Sequence, residues 1–440
     1  MLKEGYKQTE IGVIPEDWEV KQLKTALKTN PQYGINAAAV ACQGDLPIYI
    51  RITDISEDGY FKPENPVSVR HSNSSQYFLE EGDLVFARTG ASVGKSYLYR
   101  PQDGRLVYAG FLIKIQPDKA VLIPSFLSQY VKTKAYWNWV LVMSMRSGQP
   151  GINGNEYSQL LLPFPKLEEQ RLLSQALSDV DALITALDKL IAKNRDLKTA
   201  TMQQLLTGKK RLPGFGEGQG YKESVIGLIP KDWDVRLLGE LIEKLEGGVS
   251  VNSVDENNNE YGHEQSVLKT SSVYGGVFFP SESKKILPKD VYRAKLNPQK
   301  NTIIISRMNT PALVGECGYV PEDYKNLFLP NRLWITRFKQ DSLISVKWLA
   351  YILSYSTFNK AIKDTATGTS GSMKNIAKNK FSQINVFLPS LEEQNEIAIV
   401  LSDIDNAISA LESRLAKTQA IKQGMMQELL TGRIRLKIEK

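Results

Sequence analysis

Two α+β domains separated by two long antiparallel coiled-coil helices, with pseudo-two-fold symmetry, form the architecture that the sequence predicts. Three observations lead to it. A short block near the start recurs midway along the chain, and a longer leucine-rich block recurs near the end. Between those blocks the two halves diverge strongly. Such internal repetition marks a duplicated unit.

The repeats can be read directly. "YKQTEIGVIPEDWEVKQL" begins at Tyr6, and "YKESVIGLIPKDWDVRLL" begins at Tyr221. The longer block, "LEEQRLLSQALSDVDALITALDKLIAKNRDLKTATMQQLLTGKKRL", begins at Leu167, and its counterpart, "LEEQNEIAIVLSDIDNAISALESRLAKTQAIKQGMMQELLTGRIRL", begins at Leu391. The long blocks align without a gap, with roughly half their residues identical, far beyond coincidence. Two similar frames hold two different contents. This organisation suits a protein that does one kind of job at two places, with a different specificity at each.

Each long block carries an apolar seam with alternating steps of four and three. The first seam runs Leu173, Leu177, Val180, Ile184, Leu187, Ile191; the second runs Ile397, Leu401, Ile404, Ile408, Leu411, Leu415. This heptad spacing is that of a helix packed lengthwise against another helix. The next seam positions, Asn194 and Thr418, are polar, as register-setting positions often are. Gly208 and Gly432 close the blocks as helix stops. A helix of ~40 residues is ~60 Å long. The Pro/Gly-rich linker "KKRLPGFGEGQG" reaches at most ~40 Å, too short to return along a parallel partner. The pair is therefore predicted to be antiparallel. The run Lys209-Lys210-Arg211 at the start of this linker reads as solvated.

The bulk numbers agree. At 440 residues the chain exceeds one ordinary core, so two or three domains are expected. Hydrophobic residues at 42% and charged residues at 23% are those of a globular protein. A net charge of +7 and a pI near 9.0 fit a nucleic-acid partner. Cys42 and Cys317 lie far apart, which offers neither a disulfide framework nor a zinc spacing, and the two histidines, His71 and His263, make a histidine-based metal site an unfavoured reading. The start, "MLKEGYKQTEIGVIPEDWEV", lacks the apolar core of a signal peptide, and no window approaches the ~20 apolar residues of a membrane span. A cytoplasmic protein without membrane attachment is expected.

The divergent regions mix strand-like runs with turns: "LPIYIRITDI", "GDLVFAR", "SYLYR" and "FLIKIQ" in the first, "NTIIISR", "ECGYV" and "RLWITRF" in the second. Each continues into a helical stretch, "PSFLSQYVKTKAYWNWV" and "VKWLAYILSYSTFNKAI", and closes on a Gly/Ser/Asn loop. Trp137 and Trp139 read as core residues rather than base-stacking groups. The segment "RTGASVGKS" invites an ATP-binding reading. A phosphate loop needs four residues between its glycines, and Gly90 to Gly94 is one short. In the second half Gly315 matches Gly94, but Glu316 stands in place of Lys95. A nucleotide-dependent enzyme is therefore disfavoured; it would predict ATP binding lost on Lys95→Ala.

The shared Arg88 and Arg307, each closing a strand, are better candidates for contact with DNA, where basic and polar loop side chains address phosphates and base edges. The candidate contacts of the first half are Arg51, Thr53, Arg88, Thr89, Lys95, Arg146, Ser147, Gln149 and Asn153. Those of the second half are Lys269, Ser271, Arg307, Asn309, Thr310, Thr369, Ser370, Lys374 and Asn375. The boundaries that follow are a first reading domain over 1–160, a helical spacer over 161–208, a linker over 209–220, a second reading domain over 221–385 and a second spacer over 386–432.

The paired blocks "YKQTEIGVIPEDWEV" and "YKESVIGLIPKDWDV", with "LEEQ…LLTGKKRL" and "LEEQ…LLTGRIRL", resemble the specificity (S) subunits of type I restriction-modification systems. The strand-end pattern "RTGASVGK" is also similar to that family's target-recognition domains, and "RMNTPALVGE" is a looser version. The resemblance implies two target-recognition domains, each reading one half of a bipartite, asymmetric site in double-stranded DNA. It implies that the helices act as a ruler and recruit two modification (methyltransferase) subunits, which restriction subunits can join. It further implies a non-catalytic chain without cofactors of its own: S-adenosylmethionine, ATP and Mg would belong to the partner subunits. A stand-alone two-site DNA-binding regulator is the alternative.

Overall fold

A computed structural model describes residues 4–146, 148–255, 265–339, 342–368 and 372–436. The chain divides into two compact units, residues 1–189 with 412–440, and residues 190–411. The division falls inside the two long helices, Leu167–Leu205 and Leu391–Leu429. Each unit thus combines one divergent region with the start of one long helix and the end of the other.

The first unit opens with a hairpin, Tyr6–Thr9 against Gly12–Pro15. Glu19–Gln22 then pairs with the distant Leu161–Phe164, closing the divergent region into one body. That region carries two four-stranded sheets. One is antiparallel and runs in the order Gln32–Tyr33, Leu112–Ile115, Leu84–Ala87, Ser96–Leu98. The other runs Leu106–Tyr108, Ile48–Ile50, Val67–Val69, Ala39–Ala41. Leu84–Ala87 is buried on both faces, as its unbroken apolar run requires. The segment read from sequence as one strand, "LPIYIRITDI", is a strand only over Ile48–Ile50; a 3-10 turn, Ile52–Asp54, follows Arg51. The helical stretch is two helices, Pro124–Tyr130 and Lys134–Met143. Thr133 divides them: its hydroxyl donates to Tyr130 O at 2.7 Å and accepts from Tyr136 N at 3.3 Å.

The second unit repeats the frame with a different filling. Its hairpin is Tyr221–Ser224 against Gly227–Pro230, and Asp234–Leu237 pairs with Asn385–Leu388. A six-stranded sheet runs Ile242–Gly247, Leu333–Phe338, Thr302–Ser306, Cys317–Val320, Gly276–Phe278, Val273–Tyr274. Its helical stretch also splits, into Val346–Ser354 and Ser356–Asp364, at the extended Tyr355.

The helix pairing is antiparallel within each unit. In the first, Leu173 and Leu177 share a core with Met426, Leu429 and Leu430, and Asp181 pairs with Lys422 at 2.6 Å. In the second, Ile397 and Leu401 share a core with Met202, Leu205 and Leu206, and Lys198 pairs with Asp405 at 2.7 Å. In both, rising numbers on one helix meet falling numbers on the other. The seam positions Leu173, Leu177, Leu187, Ile191, Ile397, Leu401 and Ile408 are buried; Val180, Ile184, Ile404, Leu411 and Leu415 are half-buried. The polar seam residues bond back to their own helices, Asn194 to Leu190 O and Thr418 to Arg414 O, both at 2.8 Å.

The repeated motifs acquire a structural meaning here. In the second unit Arg211 donates two hydrogen bonds to Glu393 (2.6 and 2.8 Å) and two to Asp232 (2.9 and 2.7 Å). Its guanidinium lies 5.4 Å from the Trp233 ring, and Trp233 Nε1 donates to Glu393 at 2.9 Å. In the first unit Arg435 makes the same four bonds to Glu169 and Asp17, beneath Trp18, which donates to Glu169 at 3.0 Å. The arginines hold Asp17 and Asp232 below the usual aspartate range. The expectation of a solvated Lys209-Lys210-Arg211 run holds for the exposed Lys209 and Lys210 and is corrected for Arg211, which is locked into an ion-pair network on the buried Glu393. Bidentate pairing fits its planar guanidinium, which lysine could not replace. Gly208 and Gly432 end the helices with positive φ (67° and 71°), and a Cβ there would fall 2.5 Å from Pro230 and 2.4 Å from Pro15. Gln170 and Gln394 fasten the helix starts, accepting from Ile123 N and Ser345 N at 2.9 and 2.8 Å.

Candidate nucleic-acid interface

In the first unit the strand Leu84–Ala87 ends at Arg88, whose backbone is clamped on both sides. Its N–H donates to Phe111 O at 3.0 Å, and its carbonyl accepts from Ile152 N at 2.9 Å. The side chain leaves the sheet and stacks over Tyr33, 4.9 Å from the ring centroid. Thr89 bridges to Gly151, and its hydroxyl donates to Pro150 O at 3.3 Å. Gln149 approaches Gly90, with Nε2 3.2 Å from where a Cβ would stand. Asn153 caps the short helix Gly154–Ser158, accepting from Glu156 N at 2.9 Å, while Glu156 pairs with Arg146 at 2.5 Å. Gly154 N donates to the Tyr33 hydroxyl at 3.0 Å. Arg88, Asn153 and Arg146 are thus joined through Tyr33 and Glu156, with Thr89 and Gln149 in the adjoining turn. Tyr33, an exposed aromatic within it, was missed by sequence reasoning.

The remaining first-half candidates lie elsewhere. Arg51 chelates the buried Asp54 through Nε and Nη2, at 3.0 and 2.8 Å. Thr53 is exposed on the 3-10 turn beside it. Lys95 is half-buried and pairs with Glu57 at 2.5 Å. The segment Gly90–Ser92 is a 3-10 turn between antiparallel strands rather than the loop that opens a helix in phosphate-binding folds. Gly94, at φ 89°, is needed because a Cβ would lie 2.7 Å from Val140 Cγ1. Trp139 stacks on Tyr136 at 5.9 Å, but Trp137 is 38% exposed, which corrects its reading as a core residue.

The second unit repeats the clamp. Arg307 N–H donates to Arg332 O at 3.1 Å, and its carbonyl accepts from Ile376 N at 2.9 Å. Its side chain is placed differently: Nε donates to Asn331 O at 2.7 Å, and the guanidinium lies 5.7 Å from Trp334. Met308–Asn309 pairs with Lys374–Asn375, which brings Asn309, Thr310, Lys374 and Asn375 beside Arg307. Asn309 accepts from Thr310 N at 2.8 Å and donates to Ser306 Oγ at 3.1 Å. Asn375 Oδ1 is buried without a hydrogen-bond partner. Lys269 pairs with Asp255 at 3.2 Å, and Ser271 donates to Glu282 at 2.6 Å. Ser147, Thr369 and Ser370 lie outside the described residues. Arg332, exposed where the first unit has Phe111, is a further cation that sequence reasoning missed. Its position follows from the repeated clamp, not from any local motif.

Glu316 occupies the place of Lys95. It is buried, accepts from Gly275 N at 3.0 Å and pairs with Lys363 at 3.0 Å. Gly315 (φ 84°) repeats Gly94, with a Cβ position 2.6 Å from Ile362 Cγ2. Among the described residues there is no cluster of three or more metal-ligating side chains, and no helix is long and apolar enough to cross a membrane.

Comparison with known proteins agrees with this geometry. The chain is 26% identical over 450 residues to the type I restriction enzyme MjaVIII specificity subunit of Methanocaldococcus jannaschii, covering 99% of this chain and 97% of that one. It is 23% identical over 444 residues to the EcoKI specificity subunit of Escherichia coli, covering 96% and 90%. A crystal structure of a type I restriction-modification S subunit from M. genitalium matches its fold with a TM-score of 0.58 at 14% identity, over 94% of this chain and 96% of that one. The family model described as the type I restriction modification DNA specificity domain matches twice, over residues 15–195 and 230–423. With the duplicated frame and the two clamped arginines, this places the chain in the family of type I restriction-modification specificity subunits.

Proposed function

We propose that each unit reads one half of a bipartite, asymmetric site in double-stranded DNA, and that the chain itself performs no catalysis. The observation that carries the reading is the pair of strand-end arginines. Arg88 and Arg307 share one backbone clamp, yet one is framed by Tyr33 and Gln149 and the other by Asn309 and Lys374. The same backbone placement with different neighbours is what two readers of different sequences require. Arginine suits bidentate contact with guanine or phosphate, and asparagine and glutamine suit adenine. Thr89, Arg146, Ser147, Asn153, Thr310, Thr369, Ser370 and Asn375 supply further polar contacts. Arg51, Thr53, Lys95, Lys269 and Ser271 are proposed at the margins, since four of these five already have partners within the chain.

The two 39-residue helices run through both units, and in this reading they set the separation of the half-sites. They also offer the surface on which two modification subunits assemble, with restriction subunits joining that complex in the cytoplasm. S-adenosylmethionine, ATP and Mg belong to those partners. The test is gel-shift titration of the assembled complex on its target duplex. Arg88→Ala and Arg307→Ala should each weaken binding by about 1–3 kcal/mol and relax preference in one half-site only. Full affinity and unchanged preference in both variants would reject this site. Co-purification with methyltransferase partners separates the reading from a stand-alone regulator, which would purify alone.

A further inference from the structure

The first unit contains a cleft of about 660 Å³ between its divergent region and its helix pair. An adjoining cleft of about 610 Å³ shares Tyr60, Arg100, Lys132 and Asp181 with it. Three cations converge there on one ring. Arg100 Cζ lies 4.4 Å from the Tyr60 centroid, Lys132 Nζ 5.4 Å and Lys62 Nζ 6.0 Å. Of the other cations of the cleft, Lys95 pairs with Glu57 and Lys422 with Asp181, and Lys189 also lines it. Arg100, Lys132 and Lys62 form no ion pair with a carboxylate among the described residues. Asp58 and Asp188 line the cleft without pairing with them.

The corresponding place in the second unit is bonded differently. Asp405, the counterpart of Asp181, accepts from the Tyr351 hydroxyl at 2.8 Å and pairs with Lys198, which itself lies over the Tyr351 ring at 5.5 Å. Gln129 stands where Tyr351 does. It donates to Asp181 at 3.1 Å and leaves its buried Oε1 without a partner. Ser354 stands where Lys132 does, and its hydroxyl returns to Tyr351 O at 2.9 Å. The second unit thus places the hydroxyls of Tyr351 and Ser354 where the first places the amide of Gln129 and the ammonium of Lys132.

An aromatic face attracts each cation separately, but it does not remove their mutual repulsion. An anion does both. We propose that this cleft is a phosphate-binding site, holding a phosphate or pyrophosphate group between the Arg100 guanidinium and the Lys132 ammonium against Tyr60. Its ligand is taken as a phosphorylated small molecule; the DNA backbone is the other source of such a group, and the duplex measurement below distinguishes the two. Arginine supplies the planar fork for two phosphate oxygens, and lysine a compact point charge. Gly59, at φ 75°, lets the loop before Tyr60 approach; a Cβ there would lie 2.7 Å from Ser96 O and 3.4 Å from Lys132 Cε.

Burial pushes the Lys132 amine down to about 8, with the Lys422 and Arg100 charges adding and Asp181 and Asp58 opposing. The experiment is calorimetric titration of the purified full chain with inorganic pyrophosphate, with duplex-DNA affinity measured on the same samples. Wild type should bind, and Lys132→Met and Arg100→Gln should each lose about tenfold or more in affinity. Wild-type affinity should fall as pH rises through about 8, while Lys132→Arg holds its affinity to higher pH. Duplex affinity should stay unchanged in all three variants, and thermal unfolding shows whether each is folded. Absence of pyrophosphate binding by wild type, or equal binding by folded Lys132→Met, overturns the site. Loss of duplex affinity in step with pyrophosphate affinity overturns the small-molecule source and assigns the phosphate to the DNA backbone.

Discussion

The two units are built on one frame and differ in what they mount on it. The shared residues include the arginines that tie each helix start to a distant segment of the chain. Arg211 and Arg435 each hold a glutamate at a helix start and an aspartate beside a tryptophan. The residues that differ face loops and clefts: Lys95 against Glu316, Phe111 against Arg332, Gln129 against Tyr351, Lys132 against Ser354. The frame is centred on Glu169 and Glu393, which are buried and whose charges are met within the chain. The residues that differ have partners of their own in each unit, as Gln129 has in Asp181 and Tyr351 in Asp405.

This contrast can be broken at the frame first. Arg211→Ala leaves Glu393 buried and uncompensated, so it should destabilise the second unit by about 3–5 kcal/mol. Arg435→Ala should do the same to the first unit by less, because Arg435 is 36% exposed and Arg211 only 13%. Thermal unfolding of the two variants checks the order; equal and negligible losses would show that the latches are ornamental. Smaller effects should follow at the strand turns. Gly94→Ala and Gly315→Ala each combine positive φ with a clash against a buried side chain, for about 1–3 kcal/mol. The two values should agree, since the geometry is the same. The smallest effect is on acid stability. Asp17 and Asp232 have folded pKa values below the ordinary value, so their contribution is full above about pH 4 and is lost as pH falls below it. Denaturant titrations at descending pH should show this loss in wild type and a flatter profile in Arg435→Ala.

Much of this fold was legible in the sequence, because repetition and heptad spacing are properties of one dimension. The long helices and their stops at Gly208 and Gly432 followed from them, and the antiparallel pairing from the short reach of the linker after the first helix. The latches did not follow. Arg435 meets Asp17 and Glu169 across 418 and 266 residues, and nothing local announces such a pairing. For the same reason Arg211 read as part of a solvated run. Of the candidate surface, Arg88 and Arg307 stood out because the repeat aligned them at strand ends. Tyr33 and Arg332 did not, since each joins its cluster only through sheet pairing or a backbone clamp. Lys95 shows the converse: a motif-like neighbourhood drew attention to a lysine whose charge Glu57 already meets.

The most direct test is an exchange of residues 23–160 for those of a relative with a known target, leaving both latches and both long helices intact. Methylated bases would then be mapped genome-wide in cells carrying the complete restriction-modification complex. One half of the recognised sequence should change to that of the donor, while the other half and the spacing between them stay as they were. A change in both halves, or in neither, would contradict the assignment of one reader to each unit.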